Sequence, residues 1–354
     1  MRSKNLLIGL AFLVILVVVL SLSTKSQKPE QQADFEIIEI GTGGSPHWSP
    51  DGSKLAYVYK NALYIANADG TGDRLKVAEL PKWTWGFIWV DSAEFILHEF
   101  ERHRIEKKGL QEFVRIKKLT MDGKIEPIVE AQIYKDNLMM TPQITPPMVL
   151  NDGTVGYYEI PVLEGRTTLD AEKTFRIIKP GKLAPDSALK KMRVTIIGPS
   201  PALQGDIQLE SIDGTVKKKI TSGKSYSFPE LSPDGTKILA NLYVVDLEGN
   251  ETRVAERGVD TADISESPLG GKWSPDSKKI AYVRQTVKIL DEDGQVIQPI
   301  AGEIHIVNAD GSGRQVIDIP DMIEANPVWS PDGTKIACGS HSSSGIFVIK
   351  LGQK

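Results

Sequence analysis

A single cysteine, Cys338, stands in 354 residues, so no intrachain disulfide can form. It lies in the apolar stretch Ile336-Ala337-Cys338, where an unpaired thiol acts as a small hydrophobe. Nor is there an excess of one charge. Forty-two basic residues against 46 acidic ones give a net charge of −4, and they are dispersed along the chain. That pattern lacks the electrostatic footprint of a nucleic-acid binder, and no nucleic acid is expected as a partner. Histidine is scarce too: His47, His98, His103, His305 and His341 fall in separate segments. His98 and His103 are five apart, whereas a zinc-binding helix needs an i, i+4 pair. The Asp-rich turns described below lack the fixed ligand offsets of a calcium loop. No metal and no cofactor are therefore expected. The strand-to-helix nucleophile motif Gly-x-Ser-x-Gly is absent, and Gly41-Thr42-Gly43-Gly44 is followed by no helix that would make it a phosphate loop. No residue is assigned a catalytic role. With 40% hydrophobic and 25% charged residues, the chain has the composition of an ordinary globular protein with a large core.

The amino terminus has the one long apolar run. Met1-Arg2-Ser3-Lys4 is basic, and residues 6–22 follow without a charge. That run exceeds the core of a typical signal peptide and reaches the short end of a membrane span. Residues 1–23 read as an uncleaved membrane helix, with cleavage near Ser21-Leu22-Ser23 as the alternative that would release a secreted protein. No cysteine follows the run, which excludes lipoprotein processing. Basic residues before the span place the amino terminus in the cytoplasm and the body outside, periplasmic or at the cell surface. Residues 24–34 form a polar linker, and residues 35–354 are left for the folded body.

Within the body one module recurs. Ser49-Pro50-Asp51-Gly52, Ser232-Pro233-Asp234-Gly235, Ser274-Pro275-Asp276-Ser277 and Ser330-Pro331-Asp332-Gly333 each precede an alternating apolar strand, and three of them follow a tryptophan: Trp48, Trp273 and Trp329. Proline presets the first corner of a tight turn, aspartate binds nearby amides, and glycine accepts the positive φ at the exit. Two degraded copies place Asp91 and Asp152-Gly153 at the same turn. A second turn signature, Asn67-Ala68-Asp69-Gly70 and Asn308-Ala309-Asp310-Gly311, closes a later hairpin. Each unit thus reads as a four-stranded antiparallel meander, and six units can be counted. A fold built from such a repeat is a six-bladed, all-β propeller of four-stranded antiparallel blades. The last unit has only three strands, so Phe35–Ile40 is expected to supply its fourth by pairing with 346–350.

These motifs resemble the WD40-like repeats of the TolB family, whose units read Trp-Ser-Pro-Asp-Gly, then Lys-Ile-Ala-Tyr, then a strand ending in Asp-Ala-Asp-Gly. Residues 46–75 and 303–348 match closely, and 80–225 only weakly. The resemblance implies a six-bladed propeller. It does not extend to the family's amino-terminal α/β domain, for which there is no room between the apolar run and Phe35, so the family's partnership with an envelope complex does not carry over.

Function is then sought where the repeat breaks. An insertion at about 160–205 includes Pro185–Met192, read as a short helix, within an elongated hairpin or flap. Phe100–Phe113 and Thr286–Gly302 read as further extended hairpins. His47, Glu230, Lys272 and Val328 sit just before the tryptophan, or its equivalent, of the inner strand and are the candidates for a ligand-binding channel. The tryptophans are read as inter-blade core. The expected function is a membrane-tethered platform that binds an envelope protein or peptide. The alternative is a lyase or hydrolase acting on a polysaccharide or peptide at the channel mouth.

Overall fold

Alternation and turn chemistry are realised throughout as antiparallel meanders. The computed structural model describes residues 35–352 apart from 106–108, 137–138, 143, 145–146, 150–153, 160–161, 164–165, 168–173, 180–191, 201–203, 212–214, 227–228, 242, 255–270, 291–295, 318–323 and 341–344. The apolar run at 6–22 lies outside the described residues, and among those described no helix is long and apolar enough to cross a membrane.

Strand β1 (Glu36–Thr42) precedes the first complete sheet, which is β2 (Gly44–Trp48), β3 (Lys54–Tyr59), β4 (Ala62–Asn67) and β5 (Leu75–Glu79) in that order. The second sheet is β6 (Thr84–Trp89), β7 (Glu94–Ile105), β8 (Gly109–Thr120) and β9 (Ile125–Asp136), with β10 (Met139–Pro142) as a fifth strand. The third comprises β11 (Met148–Val149) and β12 (Val155–Glu159); a separate small hairpin, β13 (Val162–Leu163) and β14 (Arg166–Thr167), then intervenes before its third strand, β15 (Thr174–Lys179). The fourth is β16 (Met192–Ser200), β17 (Gln204–Ser211) and β18 (Lys217–Lys219). The fifth is β19 (Glu230–Leu231), β20 (Lys237–Ala240), β21 (Tyr243–Asp246) and β22 (Glu251–Arg253). The sixth is β23 (Lys272–Trp273), β24 (Lys279–Leu290), β25 (Val296–Asn308) and β26 (Gln315–Ile317). The seventh is β27 (Glu324–Trp329), β28 (Lys335–Ser340) and β29 (Gly345–Lys350), completed by β1.

Apolar clusters straddle successive sheets and close them into a ring. Leu63 and Ile65 of the first sheet pack with Phe87 and Leu97 of the second, and Ile304 and Ile306 of the sixth with Ile336 and Ile349 of the seventh. The circuit returns through Trp48 and Leu55 of the first sheet against Ala337 and Val348 of the seventh. Between the third and fourth, the Arg193 guanidinium lies 4.2 Å from the centre of the Tyr158 ring and pairs with Glu210 at 2.9 Å. Each sheet is therefore one blade of a propeller. The expected closing strand forms, with Ile38 opposite Val348 and Glu36 opposite Lys350.

The blade number is seven, not the six that the repeat motifs indicate. The missed blade is the fourth, and half of it lies inside the stretch read as an insertion at 160–205. Met192, the last residue of the supposed short helix, is the first of β16, while 185–191 fall outside the described residues. Sequence counting failed because the degraded copy of the turn motif ahead of β16, Ala184-Pro185-Asp186-Ser187, reads equally well as the start of a short helix. The outer strands of the blade do carry a usable signal: Ile207, Leu209 and Ile220 repeat the spacing of Ile304, Ile306 and Ile317 in blade 6. That register makes β17 and β18 the third and fourth strands of the blade. A Cβ on Gly249 in the following blade would meet the Ile220 carbonyl at 2.6 Å, just as one on Gly311 would meet the Arg253 carbonyl at the end of β22 at 2.8 Å.

Candidate binding face

In an antiparallel meander the first-to-second and third-to-fourth turns share one end of the blade. The second-to-third loops and the blade-to-blade connections share the other. The first end holds the conserved tight turns. In each Ser-Pro-Asp-Gly copy the serine hydroxyl donates to the aspartate, at 2.6 Å for Ser49 to Asp51, 2.7 Å for Ser232 to Asp234, 2.7 Å for Ser274 to Asp276 and 2.5 Å for Ser330 to Asp332. The same hydroxyl accepts the amide five residues on, as Lys54 N donates to Ser49 Oγ at 2.9 Å. Gly52, Gly235 and Gly333 take φ near +70°, and in blade 6 the non-glycine Ser277 does so at 61°. Ser277 has a compensating bond: its hydroxyl accepts the Asp234 amide of the preceding blade at 3.0 Å. Asp91 plays the same turn role in blade 2, accepting the Ala93 amide at 2.8 Å. Asp152 and Gly153 lie outside the described residues. Donated hydroxyl and amide hydrogen bonds hold Asp51 and Asp332 down at about 2. This end is devoted to structure.

The opposite end carries all the elaboration. The second-to-third hairpin of blade 2 continues in register to Ile105 opposite Gly109, and that of blade 6, through three register shifts, to Leu290 opposite Val296. Blade 3 adds the β13–β14 hairpin there, and β10 extends the connection from blade 2 to blade 3. Exposed aromatics gather at the same end of blade 2. Trp85 is 70% exposed at the start of β6, 5.0 Å from the Phe100 ring, and Lys82 caps the half-exposed Trp83 ring at 5.1 Å. An exposed indole with an aromatic neighbour and a cation is the composition of a protein-binding hot spot. The residues were legible: Trp83-Thr84-Trp85 opens an inner strand at positions where the other repeats have no tryptophan.

The four channel candidates occupy the innermost strands, but they do not converge on one point. Glu230 of blade 5 and Lys272 of blade 6 form an ion pair of 2.5 Å across their seam, both partly exposed. His47 is half-buried with its ring 4.5 Å from Phe87 of the next blade, and burial holds its imidazole down at about 4. It is neutral at physiological pH. The backbone at these positions has a further role. Trp273 Nε1 donates to the Glu230 carbonyl at 3.2 Å, Trp329 Nε1 to that of Lys272 at 3.0 Å, and Trp48 Nε1 to that of Val328 at 2.9 Å. The repeated tryptophan thus fills the seam and ties each inner strand to the one before it.

Two other places hold ionisable groups. A cleft of about 640 Å³ opens between blades 2 and 3, lined by Glu94, Lys118, Glu126 and Lys179 over Ile96 and Tyr157. Its cations are already paired, Lys118 with Glu126 at 2.8 Å, Arg176 with Glu159 at 2.7 Å and Lys179 with Asp91. In blade 6, His305 is fully buried between Glu303, 3.0 Å from its Nε2, and Tyr282, and desolvation lowers its pKa. Among the described residues no group of three or more His, Cys, Asp or Glu is placed to hold a metal ion.

No family model and no curated protein matches the chain. Solved structures do. A putative TolB from Agrobacterium tumefaciens is 17% identical, with 90% of this chain and 98% of that one covered at a TM-score of 0.38. The carboxy-terminal WD40 domain of Sif2 is 13% identical, covering 91% and 99% at 0.46. The β-propeller domain of Cps50 (Swd1) from Myceliophteria thermophila is 11% identical, covering 92% and 100% at 0.42. At such scores the likeness says nothing of ligand or activity. The propeller is established by the chain's own sheets and seams.

Proposed function

We propose that this protein is a membrane-tethered, extracytoplasmic propeller that binds a protein or peptide of the cell envelope across its loop-bearing end. One observation carries the reading: among the described residues, tight turns occupy one end of the blades, while long hairpins and the exposed Trp85 occupy the other. Turn chemistry leaves the second end free to vary, but it gives no reason to expose a large aromatic side chain there. The tether rests on the basic amino terminus and the uncharged run at 6–22. A photoreactive residue placed at Trp85, and separately at Ser53 on the turn-bearing end, tests the binding face in intact cells. A discrete adduct from position 85 alone is expected, and equal labelling from both, or none, would refute it. Alkali washing of membranes should leave the protein in the pellet, and full extraction would remove the tether.

A further inference from the structure

Blade 1 turns from its second strand to its third through only Lys60 and Asn61, with Tyr59 opposite Ala62. Their φ values of 45° and 60° are those of a type I′ turn. Asparagine and glycine take that conformation readily, whereas a lysine there carries a Cβ and no local polar group to offset the crowding. The turn is tied to the connection that leads into blade 2. Asn61 donates from Nδ2 to the Leu80 carbonyl at 2.6 Å, and its own carbonyl accepts the Leu80 amide at 2.8 Å. The Trp83 carbonyl in turn accepts the Phe100 amide of β7 at 3.0 Å. These bonds fix Lys60, Lys82 and Trp83 in one strip at the loop-bearing end, and the strip runs on into Trp85 of β6.

Charge along this strip is left unbalanced. Its described carboxylate neighbours are already engaged, Glu79 by Lys76, Glu99 by Lys117 at 2.8 Å, and Glu101 and Glu130 both by Arg115. Lys60 and Lys82 are exposed and have no carboxylate partner among the described residues. Each lies over a ring instead, Lys60 Nζ 5.2 Å from the centre of Tyr59 and Lys82 Nζ 5.1 Å from that of Trp83. A ring face attracts an ammonium group and holds it in place without neutralising it. Beside them Trp83 and Trp85 remain 36% and 70% exposed. Beyond Glu99, which faces Thr84, strand β7 continues six residues to Ile105, about 20 Å, and raises a wall next to the strip.

We infer that this strip docks an extended acidic segment of the partner protein, with carboxylates seated on Lys60 and Lys82 and an apolar side chain on Trp85. Charge complementarity sets the choice of partner: fixed, unpaired ammonium groups among rings favour a segment whose carboxylates alternate with apolar residues and repel a basic one. A polyanion fits less well, because the described strip offers two such cations and the chain as a whole carries −4. The unusual lysine at the turn then has a use. Its backbone and the ring beneath it place the ammonium group before the partner arrives, so less side-chain freedom is lost on binding. The inference rests on the binding-platform reading and gives that partner a chemistry.

The test uses the full-length chain in detergent and two labelled peptides, acetyl-Glu-Pro-Leu-Glu-Pro-Leu-Glu-amide and its analogue with glutamine for each glutamate, followed by fluorescence anisotropy. The acidic peptide should bind below millimolar concentration and the glutamine analogue about tenfold more weakly. The Lys60→Glu, Lys82→Glu double variant should weaken the acidic peptide by about tenfold or more with an unchanged Tm, and Lys60→Arg, Lys82→Arg should keep its binding. Equal affinity for the two peptides, no binding at millimolar concentration, or full affinity in the glutamate double variant overturns the inference. Polygalacturonate that competes more strongly per carboxylate than the peptide also overturns it, in favour of an acidic polysaccharide. In cells the adduct from position 85 should be lost in the glutamate double variant. An adduct that persists undiminished there refutes the strip and leaves the binding face standing, whereas absence of an adduct from wild type removes the broader reading as well.

Discussion

The indole ladder yields a prediction with its own control. Trp329 and Trp89 occupy comparable positions at the end of an inner strand and are buried to a similar degree, at 7% and 9% exposure. Trp329 Nε1 donates to the Lys272 carbonyl at 3.0 Å, whereas Trp89 Nε1 is buried with no partner among the described residues. Replacing each with phenylalanine removes the same atoms from a seam of similar composition, so the loss of packing largely cancels between them. What remains is the hydrogen bond. Losing this part-buried hydrogen bond costs about 0.5–1.5 kcal/mol, while removing an unpaired buried N–H relieves a desolvation penalty of about 1–3 kcal/mol. Trp329→Phe should therefore destabilise more than Trp89→Phe by about 1.5–4.5 kcal/mol, and in a domain this large each kcal/mol moves Tm by about 2–4 °C. Urea and thermal unfolding followed by circular dichroism would resolve that gap. Equal losses, or a larger one for Trp89→Phe, would refute the claim that the ladder's hydrogen bonds tie the inner strands together.

The turn aspartates predict an acid response: with folded values near 2 against an ordinary 3.8, Asp51 and Asp332 contribute stability that is complete above about pH 4 and lost as pH falls towards 2. The Asp51→Asn, Asp332→Asn double variant should show a flatter Tm over that window, and a profile parallel to wild type would contradict the account. Deleting residues 35–40 removes the strand that pairs β29 and takes Ile38 and Ile40 from the seam between blades 7 and 1. Several kcal/mol of apolar burial and backbone pairing go with it, so Tm should fall by about 10 °C or more; an unchanged melt would mean that the ring closes without it. Gly311→Ala should cost about 1–3 kcal/mol in chemical denaturation, since φ is +83° and the new methyl would meet the Arg253 carbonyl at 2.8 Å; a neutral result would show that the blade edges can part freely.

How far the sequence could be read depended on which physical signal each blade carries. Blades 1, 6 and 7 were plain because the tryptophan, the Ser-Pro-Asp turn and the Asp-Gly turn each answer a local requirement that leaves few residue choices. The closing strand could be inferred because Phe35–Ile40 alternates and has no partner of its own until β29 supplies one. Blade 4 was hidden because its turn residues, Pro185-Asp186 before β16 and Asp213-Gly214 between β17 and β18, are degraded copies, and only the spacing of Ile207, Leu209 and Ile220 is plain. His47, Glu230, Lys272 and Val328 lie on β2, β19, β23 and β27. Their side chains could not be anticipated, because Glu230 finds Lys272 from a different blade, 42 residues away, and His47 finds Phe87 across the next seam.

Regularity and use are separated in this molecule by strand direction. A Ser-Pro-Asp-Gly turn can only stand where a first strand meets a second, so the repeat is confined to one end. Variation is tolerated at the opposite end, where no aspartate or positive-φ glycine has to meet the neighbouring blade.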